Sequence, residues 1–387
     1  MKWEKVKLGD VTDSCLGKML DQHKNKGTLQ PYLANVNVRW GGFDLDDLSM
    51  MKFEDHEEDR YGLKYGDLVI CEGGEPGRCA IWKDEIPNMK IQKALHRVRV
   101  HEEIDYRYLF YWFLLAGKRG ALDQYFTGAT IKHMPGDKLR TIEIEKPPLP
   151  IQRKIADILS AYDDLFENNQ KQIKLLEEAA QRLYKEWFID LRFPGHETTP
   201  IHDGIPEGWE IKRLVEIADV QYGFAFDGSL FNSSGNGTPI VRIRNIPNGT
   251  TGDYTTETAD EQFMVKNGDI VVGMDGEFHI NSWSGDDSYL VQRTCCIKPL
   301  QPNIKGWLLW AIHDPIKFFE KTLVGATVAH LGKKHIDTIE LLTAPEKYYE
   351  PFSALFDRRQ SLLNQNRKLA EARDRLLPKL MSGEIEV

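Results

Sequence analysis

Residues 151–191, IQRKIADILSAYDDLFENNQKQIKLLEEAAQRLYKEWFIDL, follow Pro147-Pro148 and contain no glycine or proline. Ile151, Ile155, Ile158, Tyr162, Leu165, Asn169, Ile173, Leu176, Ala180, Leu183 and Trp187 recur at steps of three or four residues, the period of one face of an α-helix. An uninterrupted helix of about 40 residues is roughly 60 Å long, more than one small domain can cover.

The same element returns later in the chain. Pro148, Ile155, Leu159, Leu165, Asn169 and Leu183 map onto Pro345, Phe352, Phe356, Leu362, Asn366 and Leu380, each 197 residues on, and Thr141-Ile142-Glu143 maps likewise onto Thr338-Ile339-Glu340. Gly128-Ala129-Thr130 answers Gly325-Ala326-Thr327 at that separation. Gly66-Asp67 answers Gly268-Asp269, and Trp3-Glu4 with Leu8 answers Trp209-Glu210 with Leu214, at larger ones. The chain is therefore a duplication whose insertions fall in the globular parts, and its period is far too long for a solenoid.

Short apolar runs between glycine-rich turns, such as Leu68-Val69-Ile70, Arg97 to Val100, Ile240 to Ile243 and Asp269 to Val272, read as strands. Tyr106 to Leu115 and Trp307 to Phe319 read as helices, and Thr141 to Ile144 as a strand. The expected organisation is a globular domain over 1–147, a long helix over 148–192, a linker over 193–208, a second domain over 209–344 and a second long helix over 345–387, ended or kinked by Pro378. This is an α+β class: two pseudosymmetric α/β domains joined by two long helices. Each helix has a narrow apolar seam, and the chain must travel out and back, so the two should form an antiparallel coiled coil. Asn169 and Asn366 lie on the seams, where a buried polar pair fixes register.

At 387 residues and 41% hydrophobic composition the chain can bury two cores. Neither a membrane-spanning run nor a signal-peptide pattern is visible, and a cytoplasmic location is expected. Cys15, Cys71, Cys79, Cys295 and Cys296 have no metal-ligand spacing and read as reduced, mostly buried thiols. The net charge of −9 weighs against strong autonomous nucleic-acid binding. Any DNA contact must come from locally clustered basic groups or from partners.

Catalytic patterns are missing. No Asn/Asp-Pro-Pro-aromatic loop of an amino-methyltransferase is present, because Pro147-Pro148 lies between Lys146 and Leu149. The run Glu72-Gly73-Gly74-Glu75-Pro76-Gly77-Arg78 lacks the Gly-Lys-Ser/Thr end of a phosphate loop and reads as a tight turn between strands. Glu210-Ile211-Lys212 is too small a fragment to indicate a nuclease, and the histidines form no His-x-x-x-His pair. No catalytic centre and no metal site is read.

Sequence reading needs Arg, Lys, Asn and Gln side chains on loops held by a rigid scaffold. The candidates in the first domain are Lys18, Lys24, Lys26, Arg39, Arg78 and the loop residues Thr130, Lys132 and His133. In the second they are Tyr222, Arg242, Arg244, Asn245 and the loop residues Thr327, His330, Lys333 and Lys334. The two loops follow the repeated Gly-Ala-Thr and rank first. The acidic run Glu54 to Asp59 reads as a solvated loop facing away from phosphates.

The order of variable domain, long helix, variable domain, long helix resembles the specificity subunit of type I restriction-modification systems over the whole chain. The resemblance rests on Pro147-Pro148-Leu149-Pro150-Ile151-Gln152 with Ile155-Ala156, on Ala344-Pro345-Glu346, on the Asn-rich middle of each helix, on Pro206-Glu207-Gly208-Trp209, and on the ending from Leu376 to Ile385. It implies two target-recognition domains, each reading one half of a split asymmetric double-stranded DNA site, with the helix pair as spacer. It implies no activity in the chain alone and no cofactor of its own. Two modification subunits would supply S-adenosylmethionine-dependent methylation, and two restriction subunits would add ATP- and Mg-dependent translocation and cleavage. A heptad added to both helices, about 10.5 Å at about 3.4 Å per base pair, should lengthen the gap by about three base pairs. The alternative is a coiled-coil scaffold tethering two protein-binding domains without DNA specificity; a second is a related restriction-modification subunit whose catalytic chain is fused differently.

Overall fold

The computed structural model describes residues 3–21, 23–323 and 329–387. It divides into two compact units, residues 1–164 with 371–387 and residues 165–370.

Each unit is built on a four-stranded antiparallel sheet. In the first unit the spatial order is Thr12–Leu16, Leu95–Val100, Leu68–Cys71, Cys79–Ile81, and in the second it is Ala218–Tyr222, Thr294–Pro299, Ile270–Gly273, Ile280–Ser282. The two orders are the same when the strands are matched along the repeats. The strands Leu68–Cys71 and Ile270–Gly273 are buried throughout. Leu68 and Ile70 face one apolar cluster while Val69 and Cys71 face another, and Ile270 and Val272 alternate likewise with Val271. A strand with a core on both faces carries a continuous apolar run, which is why these were legible.

Both repeats also close a two-stranded ribbon, Glu4–Lys7 with Glu143–Lys146 and Glu210–Arg213 with Glu340–Thr343. Gly17 and Gly223 occupy equivalent places: a Cβ would meet the Gln92 carbonyl oxygen at 2.4 Å in one and the Val291 carbonyl oxygen at 2.0 Å in the other. The peripheral sheets have diverged, to three strands in the first unit and five in the second.

The first long helix is α-helical over Leu149–Tyr184 and continues as a π-helical turn over Lys185–Ile189. Gln152 anchors its start: the buried amide donates to Pro147 O at 2.8 Å and Glu103 O at 3.0 Å and accepts from Asp105 N at 2.9 Å. The second long helix, Glu350–Met381, is anchored at the matching place, where Tyr349 Oη accepts from Ala344 N at 2.7 Å.

The helices pair antiparallel within each unit. In the first, Arg373 donates to Asp163 at 2.6 Å, and Asp163 also accepts from Tyr111 Oη at 2.6 Å. In the second, Asn169 Nδ2 donates to Asn366 Oδ1 at 2.9 Å, both residues being buried, and Arg359 donates to Glu177 at 2.7 Å. Two-repeat α+β architecture with an antiparallel helix pair is thus the observed fold.

The structure refines four local readings. Residues 193–208 are a packed connection, with Phe193 1% exposed against Trp209 at 4.7 Å and a hairpin of Ile201–His202 with Ile205–Pro206. Pro378 lies within the last turn of the second helix, which ends at Met381, close to where the proline was expected to end or kink it. The acidic run is largely solvent-exposed, as expected, but it is ordered. It forms a 3-10 turn at Asp55–Glu57 and a helical turn at Glu58–Tyr61, because Glu57 and Glu58 neutralise the buried ammonium groups of Lys18 at 2.5 Å and Lys90 at 2.7 Å. The strand read over Ile240 to Ile243 ends at Val241, and Ile243–Asn245 is a 3-10 turn closed by the Asn245 side chain, which accepts from Arg242 N at 2.8 Å.

A pH dependence follows from His96, which is 1% exposed and hydrogen-bonds Met134 O through Nε2 at 2.9 Å. Burial lowers its pKa below the ordinary 6.5. The unfolded chain therefore takes up a proton that the folded one refuses, and stability falls as pH drops below about 6.5, by at most about 1.4 kcal/mol per pH unit until the lowered pKa is passed. Urea unfolding at pH 7.5 and 5.5 should show this loss, and the part due to this group should vanish in His96→Gln.

Candidate nucleic-acid interface

The loops ranked first by sequence lie at the same end of the sheet in both repeats. In the first unit His133 bridges to Gly73 and to Thr127, and Met134 N donates to Glu72 O at 2.7 Å. In the second, His330 bridges to Asp275, and Leu331 N donates to Met274 O at 2.8 Å. The residues just past the strand that follows Gly66-Asp67 or Gly268-Asp269 thus meet the loop that precedes the short helix Gly136–Arg140 or Lys333–Ile336.

In the first unit Thr130, Lys132 and His133 are exposed. Thr130 and Lys132 border a cleft of about 560 Å³ whose walls include Trp40, Glu75 and Phe126. Trp40 Nε1 donates to Glu75 at 2.7 Å, and Lys132 lies 5.7 Å from the Phe126 ring centroid and 3.4 Å from Asp123. In the second unit, Lys333 Nζ is 5.8 Å from the Tyr222 ring centroid and 3.4 Å from Asp337, and Lys334 is exposed. Thr327 lies outside the described residues.

Among the other candidates, Lys18, Arg78 and Asn245 have their polar groups engaged within the protein, whereas the remaining cations form exposed pairs or none. Lys18 is buried, its ammonium held by Glu57 and Lys52 O. Arg78 donates to Glu75 at 3.0 Å and to Asn35 O at 3.1 Å. Asn245 closes its own turn, donating to Asp253 at 3.2 Å, and its repeat counterpart Asn37 accepts from Ala34 N at 2.9 Å in the same way. A side chain used identically in both repeats is part of the frame. Arg244 pairs with Asp253 at 2.5 Å, although its side chain stays 63% exposed; Arg39 pairs with Asp44 at 3.3 Å; Lys24 pairs with Asp21 at 3.4 Å. Arg242 stacks on Phe231 at 5.4 Å, and Lys26 is exposed with no ion-pair partner among the described residues.

The structure adds a cluster that the sequence reading passed over. Asp275 accepts from Arg293 Nη1 through one oxygen and contacts His330 Nδ1 through the other at 2.5 Å. Burial opposes its ionisation, but His330 and Arg293 together hold the carboxyl below its ordinary range. Only a second alignment of the repeats, setting Asp275 against Gly73 and Arg293 against Ala94, would have drawn attention to it.

Among the described residues no helix is long and apolar enough to cross a membrane. The doubled frame and its diverged loops define a protein of two like recognition modules on paired helices. A family model described as the type I restriction modification DNA specificity domain matches residues 1–178 and again 206–346, so the chain belongs to that family.

Two relatives come from Methanocaldococcus jannaschii. The type I restriction enzyme MjaIX specificity subunit is 28% identical over 343 residues, covering 83% of this chain and 78% of its own, and the MjaVIII specificity subunit is 26% identical over 415 residues, covering 100% and 93%. The crystal structure of the type I restriction-modification S subunit from M. genitalium has the same fold, with a TM-score of 0.57 at 16% identity over 98% of this chain and 96% of that one.

Proposed function

We propose that this protein is the DNA sequence-recognition subunit of a type I restriction-modification complex, each globular domain reading one half of a split asymmetric site. The observation that carries this reading is the double match of the specificity domain on two repeats that keep one scaffold and differ in their loops. A scaffold held constant while loops diverge is how one architecture reads different sequences.

The helix pair sets the separation of the half-sites and offers a docking surface to two methyltransferase subunits. Two ATPase-nuclease subunits complete the complex. Catalysis, and with it S-adenosylmethionine, ATP and Mg, belongs to those partners. With a net charge of −9, the isolated chain holds DNA weakly, and the modification subunits supply most of the phosphate contacts.

Co-expression with the methyltransferase subunit of its own system, followed by mapping of methylated adenines across a genome, tests the assignment. The expected result is a single split motif, methylated on opposite strands. Exchange of residues 1–147 for another such domain should then change one half only. A stable complex with an active methyltransferase that gives no motif would favour the scaffold alternative.

A further inference from the structure

We infer that Arg293 reads a guanine in the half-site of the second domain, its guanidinium oriented by Asp275; the inference rests on the DNA-recognition reading above and names a specificity-determining residue within it. Arg293 sits on the bend that precedes the strand Thr294–Pro299, with φ +67, and its carbonyl accepts from Met274 N at 2.9 Å. The Asp275 side chain is 11% exposed, whereas those of Arg293 and His330 are 66% and 59% exposed. One sheltered carboxylate thus carries two groups that point into solvent.

Solvent screening at the exposed guanidinium limits what this pair adds to folding, and a non-glycine residue at positive φ is strained. The first repeat makes the same bend. There Ala94 has φ +92, and its carbonyl accepts from Glu72 N at 2.8 Å. His133 stands where His330 stands, but Gly73 takes the place of Asp275, so the carboxylate and the arginine occur together in one repeat only. A feature required by the fold would be needed in both. A feature that distinguishes one half-site from the other is needed in one.

The chemistry favours a base edge. Asp275 engages Nη1, and no other contact of the guanidinium is made among the described residues, so the Nε and Nη2 donors remain for a ligand with two adjacent acceptors. Guanine offers O6 and N7 in that arrangement on the major-groove edge, and an arginine already fixed by a carboxylate loses less freedom on pairing with it. The neighbouring Lys333 and Lys334 supply positive charge, offset in part by Asp337.

The test uses the full chain co-expressed with its methyltransferase. Arg293→Gly keeps the bend, and equal thermal unfolding of variant and wild type checks the fold. The expected result is relaxation at one guanine of the half assigned to the second domain by exchange of residues 209–344, with preference over other bases there falling about tenfold or more. The wild-type complex supplies a second measurement. 7-Deazaguanine at that position, which lacks the N7 acceptor, should weaken binding, and Arg293→Gly should be insensitive to it.

An unchanged motif with uniformly lower methylation that Arg293→Lys restores would identify a phosphate contact and overturn the proposal. So would an unchanged motif at unchanged level, or a second half-site without guanine. A wild-type complex with no split motif overturns the DNA-recognition reading itself, which separates the two failures.

Discussion

Phe188→Ala should destabilise the second unit by about 4 kcal/mol, the loss typical of a buried phenylalanine truncated in a packed core. Phe188 is 4% exposed and lies on the π-helical turn that ends the first long helix. Its ring stacks on Tyr184 at 5.4 Å and meets Trp209 at 5.0 Å, Trp307 at 5.6 Å and Phe352 at 5.8 Å. These partners come from the first helix, the start of the second repeat, a helix of its domain and the second long helix. Large rings on all sides cannot collapse into the space left behind. The transition of this unit should fall by about 8–16 °C, whereas Phe188→Leu should cost about 1.5 kcal/mol. A loss below about 1.5 kcal/mol for the alanine variant in urea unfolding would mean that the cluster repacks.

Arg359→Ala should cost about 3 kcal/mol, through polar groups left without partners rather than through a cavity. Arg359 is 7% exposed and spends its whole fork inside the unit: Nε donates to Glu177 at 2.7 Å, Nη1 to Ser282 Oγ at 2.6 Å and Nη2 to Asn281 Oδ1 at 2.8 Å. Ser282 Oγ donates onward to Gln360 at 2.8 Å. One side chain thus ties both long helices to the edge strand Ile280–Ser282. Lysine keeps the charge but not the fork, so Arg359→Lys should recover less than half the loss. Amide exchange should rise along Ile280–Ser282 in both variants, and unaltered exchange there would remove the network from this role.

The long helices were legible because a periodic apolar seam is a local property, carried by the helix residues themselves. The same holds for Leu68 to Ile70 and Ile270 to Val272, whose unbroken apolar runs announce strands with a core on both sides. The antiparallel pairing and the meeting of Asn169 with Asn366 followed from the repeat, because the chain has to return along itself.

The candidate site was legible only as a region. Lys18 looked like an open cation because its partner Glu57 is 39 residues away, and no local pattern ties the two. Asn245 looked like a base reader, although its amide is used within its own 3-10 turn.

The sequence by itself determined the duplication, the two helices, the seam asparagines and the family. The tertiary structure alone decided which charged groups remain open. It buried Lys18 on Glu57 and Lys90 on Glu58, and it brought Asp275 to Arg293 and His330 across 18 and 55 residues. The physical reason is range. Helix and strand periodicity is set by neighbours a few positions apart, whereas an ion pair is set by whichever residues the folded sheet places within a few ångströms of each other.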